Sequence, residues 1–318
     1  MKRIGNIYGE ITSLANLQQA DKKAQQGKRD QYGVRIHNIN QEGNLLVLQD
    51  MLVSKTYRTS TYDIFTVHEP KERIVYRLPY FPDRIAHHAI MNVLEPIFVN
   101  NFTVDTYSCI KKRGIHKLYN NLRRDLRDVE GTQYCLKLDI TKFYPSVDHD
   151  ILKSLLRRKF KDSDLLWLLG EIIDSADGLP IGNYLSQYLA NFYLSYFDHW
   201  IKEAQGAQYY YRYADDMVVL ARSKRALHLL LAEIKKYLHE FLKLNVKENH
   251  QVFLVDARGI DIGGYVHWHS HAGIRKKIKQ SFARKLARNP NHKSKSAYLG
   301  WLSHCDARHL TKKLLSNE

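Results

Sequence analysis

Three acidic residues, far apart in the chain, have the types and spacing for phosphoryl chemistry. Asp215 and Asp216 interrupt Tyr209–Ala221, which reads Tyr-Tyr-Tyr-Arg-Tyr-Ala-Asp-Asp-Met-Val-Val-Leu-Ala, and Asp139 closes Tyr134-Cys-Leu-Lys-Leu-Asp. Aromatic and β-branched flanks favour strand, whereas Asp favours tight turns, so Tyr209–Ala221 predicts a β-hairpin with both carboxylates at its tip. The alternating stretch from Tyr134 predicts a second strand, ending in a carboxylate and followed by Thr141-Lys-Phe-Tyr-Pro. Adjacent ionised carboxylates repel and are costly beside apolar strands unless a cation neutralises them. Hard oxygen ligands suit Mg²⁺, which keeps positions open for water and substrate phosphates. Two such ions, about 3.5–4 Å apart, clamp the attacking and leaving oxygens of an in-line displacement. The chemistry implied is nucleotidyl transfer, although the acidic pair alone fits an ordinary solvated turn equally well.

The surrounding pattern supplies the elements that must position these groups. Ile11, Leu14, Leu17 and then Leu45, Leu46, Leu48, Leu52 have helical spacing, interrupted by the polar, basic stretch Asp21–Asp30. Tyr62–Tyr80 alternates as two strands about a Glu69-Pro70 turn, and Asp83 reads as the N-cap of an amphipathic helix in which His87 and His88 are packed or solvated. Leucines from Leu155 to Leu169 predict helix up to Ile173, with Arg157-Arg158-Lys159 on a solvated or template-facing side and a break at Asp174–Gly178. Leu179–Gln187 then opens a helix running to Ile201, with Ser186 as its cap. Leu227, Leu230, Leu231, Ile234, Leu238 and Leu242 mark a helix packed on the sheet, and Leu244–Leu254 reads as a strand pair. Lys111, Lys112, Arg113 and Lys117 surround Gly114, which suits close approach of a phosphate backbone or a bare loop. His267, His269 and His271 would align on one side of a strand, but no fourth zinc ligand follows at metal-site spacing. Arg275–Arg288 predicts a basic helix with Ile278, Phe282 and Leu286 on one stripe, ended by Asn289-Pro290; it suits a duplex backbone or a partner surface.

Three boxes carry a resemblance. Tyr213-Ala-Asp-Asp216, Leu138-Asp-Ile-Thr-Lys-Phe-Tyr144 and Gly178-Leu-Pro-Ile-Gly-Asn-Tyr-Leu-Ser-Gln187 resemble the central motifs of bacterial reverse transcriptases. Most members carry Gln-Gly-x-x-x-Ser-Pro in the last box, and Ile181-Gly182-x-x-x-Ser186-Gln187 is similar to the form found in diversity-generating retroelements. The likeness runs from about Asn16 to the C-terminus. It implies an α+β right-hand polymerase, with N-terminal helices and fingers over 1–133, a palm over 134–265 (fingers helices at 149–205) and a small basic helical thumb over 266–318. It implies that Asp139, Asp215 and Asp216, with Ile140, hold two Mg²⁺ ions (Mn²⁺ as a substitute), and that Lys247 protonates the departing pyrophosphate; a surface lysine is the plain alternative. By the same likeness Tyr144 stands against the nucleotide sugar, where a ring excludes a 2′-hydroxyl, while Phe143 faces the core. Arg73, Arg77, Ile181, Gly182 and Gln187 join Tyr144 in nucleotide binding, Arg73 and Arg77 reading otherwise as an exposed strand face. An isoleucine at 181 cannot offer the amide hydrogen bond of a glutamine, which is a route to errors at template adenines. Template and primer contacts fall on Lys111, Lys112, Arg113, Gly114, Gly264, Tyr265, Arg275, Lys276 and Lys279; Gly263 departs from the family's larger residue in the primer hairpin. The implied partners are a retroelement template RNA and its cDNA, dNTPs and a small helical oligomeric accessory variability protein.

Composition agrees with a nucleic-acid enzyme. Lys+Arg 49 against Asp+Glu 33 gives +16, a surplus that attracts polyanions, and 21 tyrosines offer rings for base stacking. No apolar run approaches a membrane span, and Met1-Lys-Arg-Ile-Gly-Asn lacks the apolar core of a secretory signal. Scattered Cys109, Cys135 and Cys305 suit free thiols, so a cytoplasmic protein without membrane attachment is expected. No RNase H or endonuclease segment is expected after the thumb. Two rivals share these features: a retron-like or phage-defence reverse transcriptase, and an inactive RNA-binding relic, against which the presence of all three carboxylates speaks.

Overall fold

The computed structural model describes residues 3–68, 72–286 and 292–315. The chain gathers into two compact α+β units, each assembled from separated segments: Met1–Thr103 with Lys142–Tyr196 and His239–Leu244, and Val104–Thr141 with Phe197–Leu238 and Asn245–Glu318.

The first unit is mainly helical. Helices Leu14–Ala24, Gln41–Val53, Ile85–Asn101, His149–Lys159, Ser163–Ile173 and Tyr184–Tyr193 bury Leu17, Leu48, Ile90, Phe98, Leu152, Leu169 and Phe192. Three start at side-chain caps: Ser13 Oγ accepts from Asn16 N–H at 3.3 Å, Asp148 Oδ1 from Ile151 N–H at 3.0 Å and Asp162 Oδ1 from Leu165 N–H at 3.2 Å. β1 (Asp63–Val67) and β2 (Arg73–Arg77) form an antiparallel hairpin, and its expected Glu69-Pro70 turn lies outside the described residues.

Several polar residues in this unit depart from expectation. Asp21 is fully buried, because its carboxylate accepts bonds from Tyr80, Gln41 and Gln25 and lies 3.3 Å from His37 Nε2. Burial alone would raise its pKa, but these partners hold it well below the usual carboxylate range. Asp83 caps no helix; it is buried and accepts from Tyr57 OH at 2.8 Å and Ser60 N–H at 3.1 Å. Ser186 lies inside its helix rather than at the cap, which falls at Asn183. Lys159 is buried too, with Nζ 3.2 Å from Asn101 Oδ1, so the basic triplet 157–159 is not one solvated face.

The second unit carries a four-stranded antiparallel sheet of β3 (Tyr134–Asp139), β4 (Tyr209–Tyr213), β5 (Asp216–Ala221) and β6 (Gln251–Leu254) in the order β4-β5-β3-β6. Leu244–Leu254 is not a strand pair. Val246 bridges to Ile140 and β6 pairs with β3, so both pieces follow one edge of β3. Alternation turns Cys135, Tyr211, Val218 and Leu220 into a core shared with Leu118 and Leu122 of helix Ile115–Asp125 and with Ile260 and Ile262. Those last two lie on β7 (Ile260–Ile262), which with β8 (Tyr265–His267) and β9 (Ala272–Ile274) makes a three-stranded antiparallel sheet. Helices Lys276–Leu286, His292–Leu302 and Arg308–Leu315 follow, with Phe282, Leu302 and Ala307 buried together. Ala287, Arg288 and the Asn289-Pro290 terminator lie outside the described residues.

The β7–β8 turn explains the small residue at 263. Ile262 pairs with Tyr265, leaving Gly263 and Gly264 as a two-residue loop with φ of +60° and +87°. Positive φ at both positions is the demand of the tight hairpin turn whose twist matches its strands, and glycine meets it without strain. A Cβ on Gly264 would also stand 2.5 Å from the Trp301 ring. Gly264→Ala should therefore cost about 1–3 kcal/mol. Denaturant titration should show a lower midpoint with unchanged slope; an unaltered midpoint would contradict this account of the turn.

Candidate active site

Asp139 ends β3, and in the β3–β5 register it stands directly opposite Asp216. Tyr213 pairs with Asp216, so the hairpin closes through Ala214 and Asp215 alone. The expected placement is corrected in one respect: Asp215 occupies the tip, whereas Asp216 is the first residue of β5. A two-residue turn has room for only one of the pair.

That turn is pinned from below by Arg212, which is fully buried. Its Nη1 donates to the Ala214 carbonyl at 3.1 Å, and Ala214 sits at φ +56°, a conformation unfavourable for an L-residue without support. Arg212 Nε and Nη2 grip Asp198 at 2.7 and 2.5 Å, and Tyr210 OH and Thr106 Oγ1 also donate to that carboxylate. The pair is therefore buried with its hydrogen bonds satisfied.

The acidic groups are crowded and partly covered. Burial, followed by the neighbouring Asp139 carboxyl, pushes the Asp215 carboxyl from the ordinary 3.8 up to about 6. Burial also raises Asp216, against the pull of Lys137, whose Nζ lies 3.3 Å from the carboxylate. Lys247 Nζ donates to Asp139 Oδ2 at 2.7 Å, and its backbone N–H donates to the Asp139 carbonyl at 2.9 Å. Asp139 Oδ1 and Asp216 Oδ1 are buried and accept no hydrogen bond. Among the described residues no group of three His, Cys, Asp or Glu closes a metal cage by itself. Mg²⁺ ordinarily takes one or two protein carboxylates and fills its shell with water and phosphate oxygens. Two orphaned carboxylate oxygens in this acidic cluster fit such an ion. Ile140 adds a backbone oxygen: its bridge to Val246 is bonded through Thr141 N–H and Lys247 N–H, leaving the Ile140 carbonyl outside that ladder.

The expected nucleotide residues lie in the first unit. Ile181 accepts from Tyr76 N–H at 2.8 Å, and a Cβ on Gly182 would stand 2.5 Å from the Tyr76 carbonyl, so this segment docks on β2. Ile181 is half-buried, Gly182 and Gln187 exposed. Tyr144 is half-buried beside a buried Phe143, and its carbonyl accepts from Leu179 N–H at 2.8 Å. Arg73 is exposed at the start of β2, while Arg77 is engaged by its cross-strand partner Asp63 and lies over the Phe65 ring.

Template and primer candidates lie in the second unit. Lys111 and Lys112 are exposed ahead of Gly114, and Arg113 Nη1 reaches the Thr106 carbonyl at 3.4 Å. Lys276 and Lys279 are exposed, but Arg275 Nε donates to Asp261 Oδ1 at 2.6 Å. Tyr265 is fully buried with its hydroxyl on the Trp301 carbonyl, so its ring belongs to the core rather than to a contact surface. The three histidines part company: His267 is buried, His269 binds Asp256 at 2.8 Å and His271 stacks on Trp268.

A family model described as reverse transcriptase (RNA-dependent DNA polymerase) matches residues 68–301. The chain belongs to the reverse transcriptase family. Similar relatives include protein YkfC of Escherichia coli, 24% identical over 250 residues, which cover 64% of this chain and 65% of YkfC. The group II intron-encoded protein LtrA of Lactococcus lactis is 24% identical over 188 residues, 56% of this chain and 30% of LtrA. The retron Ec73 reverse transcriptase of Escherichia coli is 26% identical over 231 residues, 65% of this chain and 71% of that protein. Among solved structures, apo telomerase from Candida tropicalis superposes with TM-score 0.52 at 10% identity, over 72% of this chain and 52% of that one. The α+β polymerase fold is thus shared, while the chain spans under two thirds of YkfC and LtrA and about half of the telomerase chain.

Sequence reasoning overlooked three residues of this acidic site: Arg212, Asp198 and Lys137. A signal existed for two of them, since Arg212 and Lys137 are lone charges inside otherwise apolar or aromatic strand runs. The crowded carboxylates also predict a pH effect. A carboxyl raised from 3.8 to about 6 on folding favours the native state while protonated and loses that contribution as pH rises across this window. Metal-free protein should therefore lose stability between about pH 4 and pH 6, and Asp215→Asn should flatten the loss and raise the melting temperature at pH 7 in EDTA. Melting curves across pH decide it; parallel profiles for the two proteins would overturn the assignment.

Proposed function

We propose that the chain is an RNA-directed DNA polymerase that copies a template RNA into cDNA from deoxynucleoside triphosphates. The observation that carries this reading is the meeting of Asp139, Asp215 and Asp216, with two buried carboxylate oxygens lacking hydrogen bonds, on a sheet of the reverse transcriptase family. Two Mg²⁺ ions, with Mn²⁺ as substitute, supply activation of the primer 3′-hydroxyl and neutralise charge developing on the transferred phosphate. Asp139, Asp215 and Asp216, aided by the Ile140 carbonyl, would hold the two ions. Lys247, already at the Asp139 carboxylate, gives a proton to the leaving pyrophosphate. The Tyr144 ring bars the 2′-hydroxyl, and Arg73 and Arg77 of the β1–β2 hairpin approach the triphosphate with Gly182 and Gln187. The exposed cations Lys111, Lys112, Lys276 and Lys279, with Arg113, Arg275 and the Gly114 and Gly264 backbone, meet nucleic-acid phosphates, where contacts give affinity without sequence information. We assign 1–133 to N-terminal helices and fingers, 134–265 to palm with fingers helices at 149–205, and 266–318 to thumb, working in the cytoplasm.

We further propose the diversity-generating subtype: copying of a retroelement RNA with errors at template adenines, alongside a small helical oligomeric accessory protein that meets a basic face. Ile181-Gly182-x-x-x-Ser186-Gln187 supports it, since the half-buried Ile181 side chain offers no polar group near a base pair. A retron-like role is the second reading, favoured by the likeness that extends over 71% of the retron Ec73 enzyme.

Primer extension on the flanking RNA with Mg²⁺ tests the activity. Asp215→Asn should reduce extension to background while RNA affinity stays within about twofold, since phosphate contacts dominate binding; retained synthesis would refute the metal assignment. Sequencing the cDNA tests the subtype: errors should cluster at adenines, and Ile181→Gln should lower them. An error spectrum indifferent to adenine would favour the retron-like role.

A further inference from the structure

Lys137 stands in the middle of β3, flanked by Leu136 and Leu138 and two residues before Asp139 on the same face. Its side chain is 26% exposed, so most of an ammonium-bearing chain has left water. What offsets that cost is specific. In the β3–β5 register Lys137 pairs with Val218, which makes Asp216 its diagonal neighbour, and Nζ lies 3.3 Å from both Asp216 oxygens. The same Nζ donates to the main-chain carbonyl of Asp261 on β7. Asp261 in turn holds Arg275 through its carboxylate, and Arg275 N–H donates to the Gly264 carbonyl at 3.0 Å. One ammonium thus joins an acidic-site carboxylate to the sheet whose β7–β8 turn and β9 lead into the basic helix Lys276–Leu286.

We propose that Lys137 is a positioning residue that acts as a resident counterion for Asp216 and moors it to β7. This rests on the polymerase reading only for its link to turnover. Lys247 Nζ bonds the Asp139 carboxylate at 2.7 Å; Asp216, whose Oδ1 accepts no hydrogen bond, has the Lys137 ammonium at 3.3 Å, with Arg275 a weaker and more distant influence. With this cation in place, Asp216 offers an incoming divalent ion only part of its charge. The site is thereby kept from binding metal too tightly, and the Asp216 carboxylate stays aimed along one direction.

The test is Lys137→Met, which keeps length and loses charge, with Lys137→Arg as the conservative control. Mg²⁺ binding to the full chain without nucleotide or primer is read by calorimetry and by the metal-induced rise in melting temperature; extension is measured separately. Lys137→Met should lower the Mg²⁺ half-saturation concentration by about three- to tenfold, the range expected for removing one charge from a half-covered pair. Its extension rate should fall, and Lys137→Arg should restore the wild-type midpoint. An unchanged Mg²⁺ midpoint in Lys137→Met, or a weaker one, overturns the proposal, because a purely structural lysine would not tighten metal binding when removed. Should Lys137→Met not fold, Lys137→Gln, which retains a donor for the Asp261 carbonyl without charge, is read in the same way. Absence of Mg²⁺-dependent extension in the wild type would instead count against the polymerase reading, and the binding comparison would still decide the role of Lys137.

Discussion

Like charges brought together in a partly dry place govern the second unit. Three carboxylates gather where β3 ends and the β4–β5 hairpin turns, and burial makes their mutual repulsion stronger than it would be in water. The protein answers with a small set of fixed cations. Lys247 takes Asp139 and Lys137 takes Asp216, while burial and the Asp139 neighbour raise the Asp215 carboxyl. None of these partners consumes every oxygen, and the leftover lone pairs give a divalent ion something to bind.

Holding the acidic turn steady takes structure beneath it. The aromatic run 209–211 illustrates how. Its rings alternate across the sheet, yet all three hydroxyls end on acids: Tyr209 on Asp128, Tyr210 on Asp198 and Tyr211 on Asp125. Tyrosines whose abundance suggested base stacking are thus, in this strand, anchors for the strand itself. Arg212 completes the foundation, because its buried grip on Asp198 leaves one guanidinium nitrogen for the Ala214 carbonyl. The edge of β4 is covered as well: backbone bonds from Tyr107 to Arg212 and from Arg212 to Asp105 occupy groups that a bare edge would expose.

The first unit solves a different problem, keeping a loop close to a hairpin that is exposed along much of its length. Glycine at 182 lets the backbone after Ile181 lie against β2, and the Ile181 carbonyl takes a β2 amide as a further strand would. Asn183 Nδ2 reaches the Tyr62 hydroxyl at 3.1 Å, which itself meets Ser175 Oγ at 2.7 Å, so the segment is tied down on both sides. Specificity for a base or a sugar would have to be expressed through groups fixed in this manner.

Much of this was legible from residue order alone. Alternation announced β3, aromatic and β-branched flanks announced β4 and β5, helical spacing announced Lys224–Leu242, and the three boxes announced the family, because each of these signals is local. Strand pairing is not local, and that is where reading failed. Leu244–Leu254 has the composition of two strands, but their partner is β3 rather than each other, and only that pairing brings Lys247 to Asp139. Likewise Asp21 of the polar stretch, Asp83 read as a helix cap and Lys159 of the basic triplet are buried, since a polar residue's fate depends on whether distant donors and acceptors meet it. The sequence by itself determined which side chains could do chemistry and which strands would carry them. Tertiary structure decided which charge neutralises which, because the register of β3 against β5 sets Lys137 beside Asp216, and the bridge of Ile140 to Val246 sets Lys247 on Asp139.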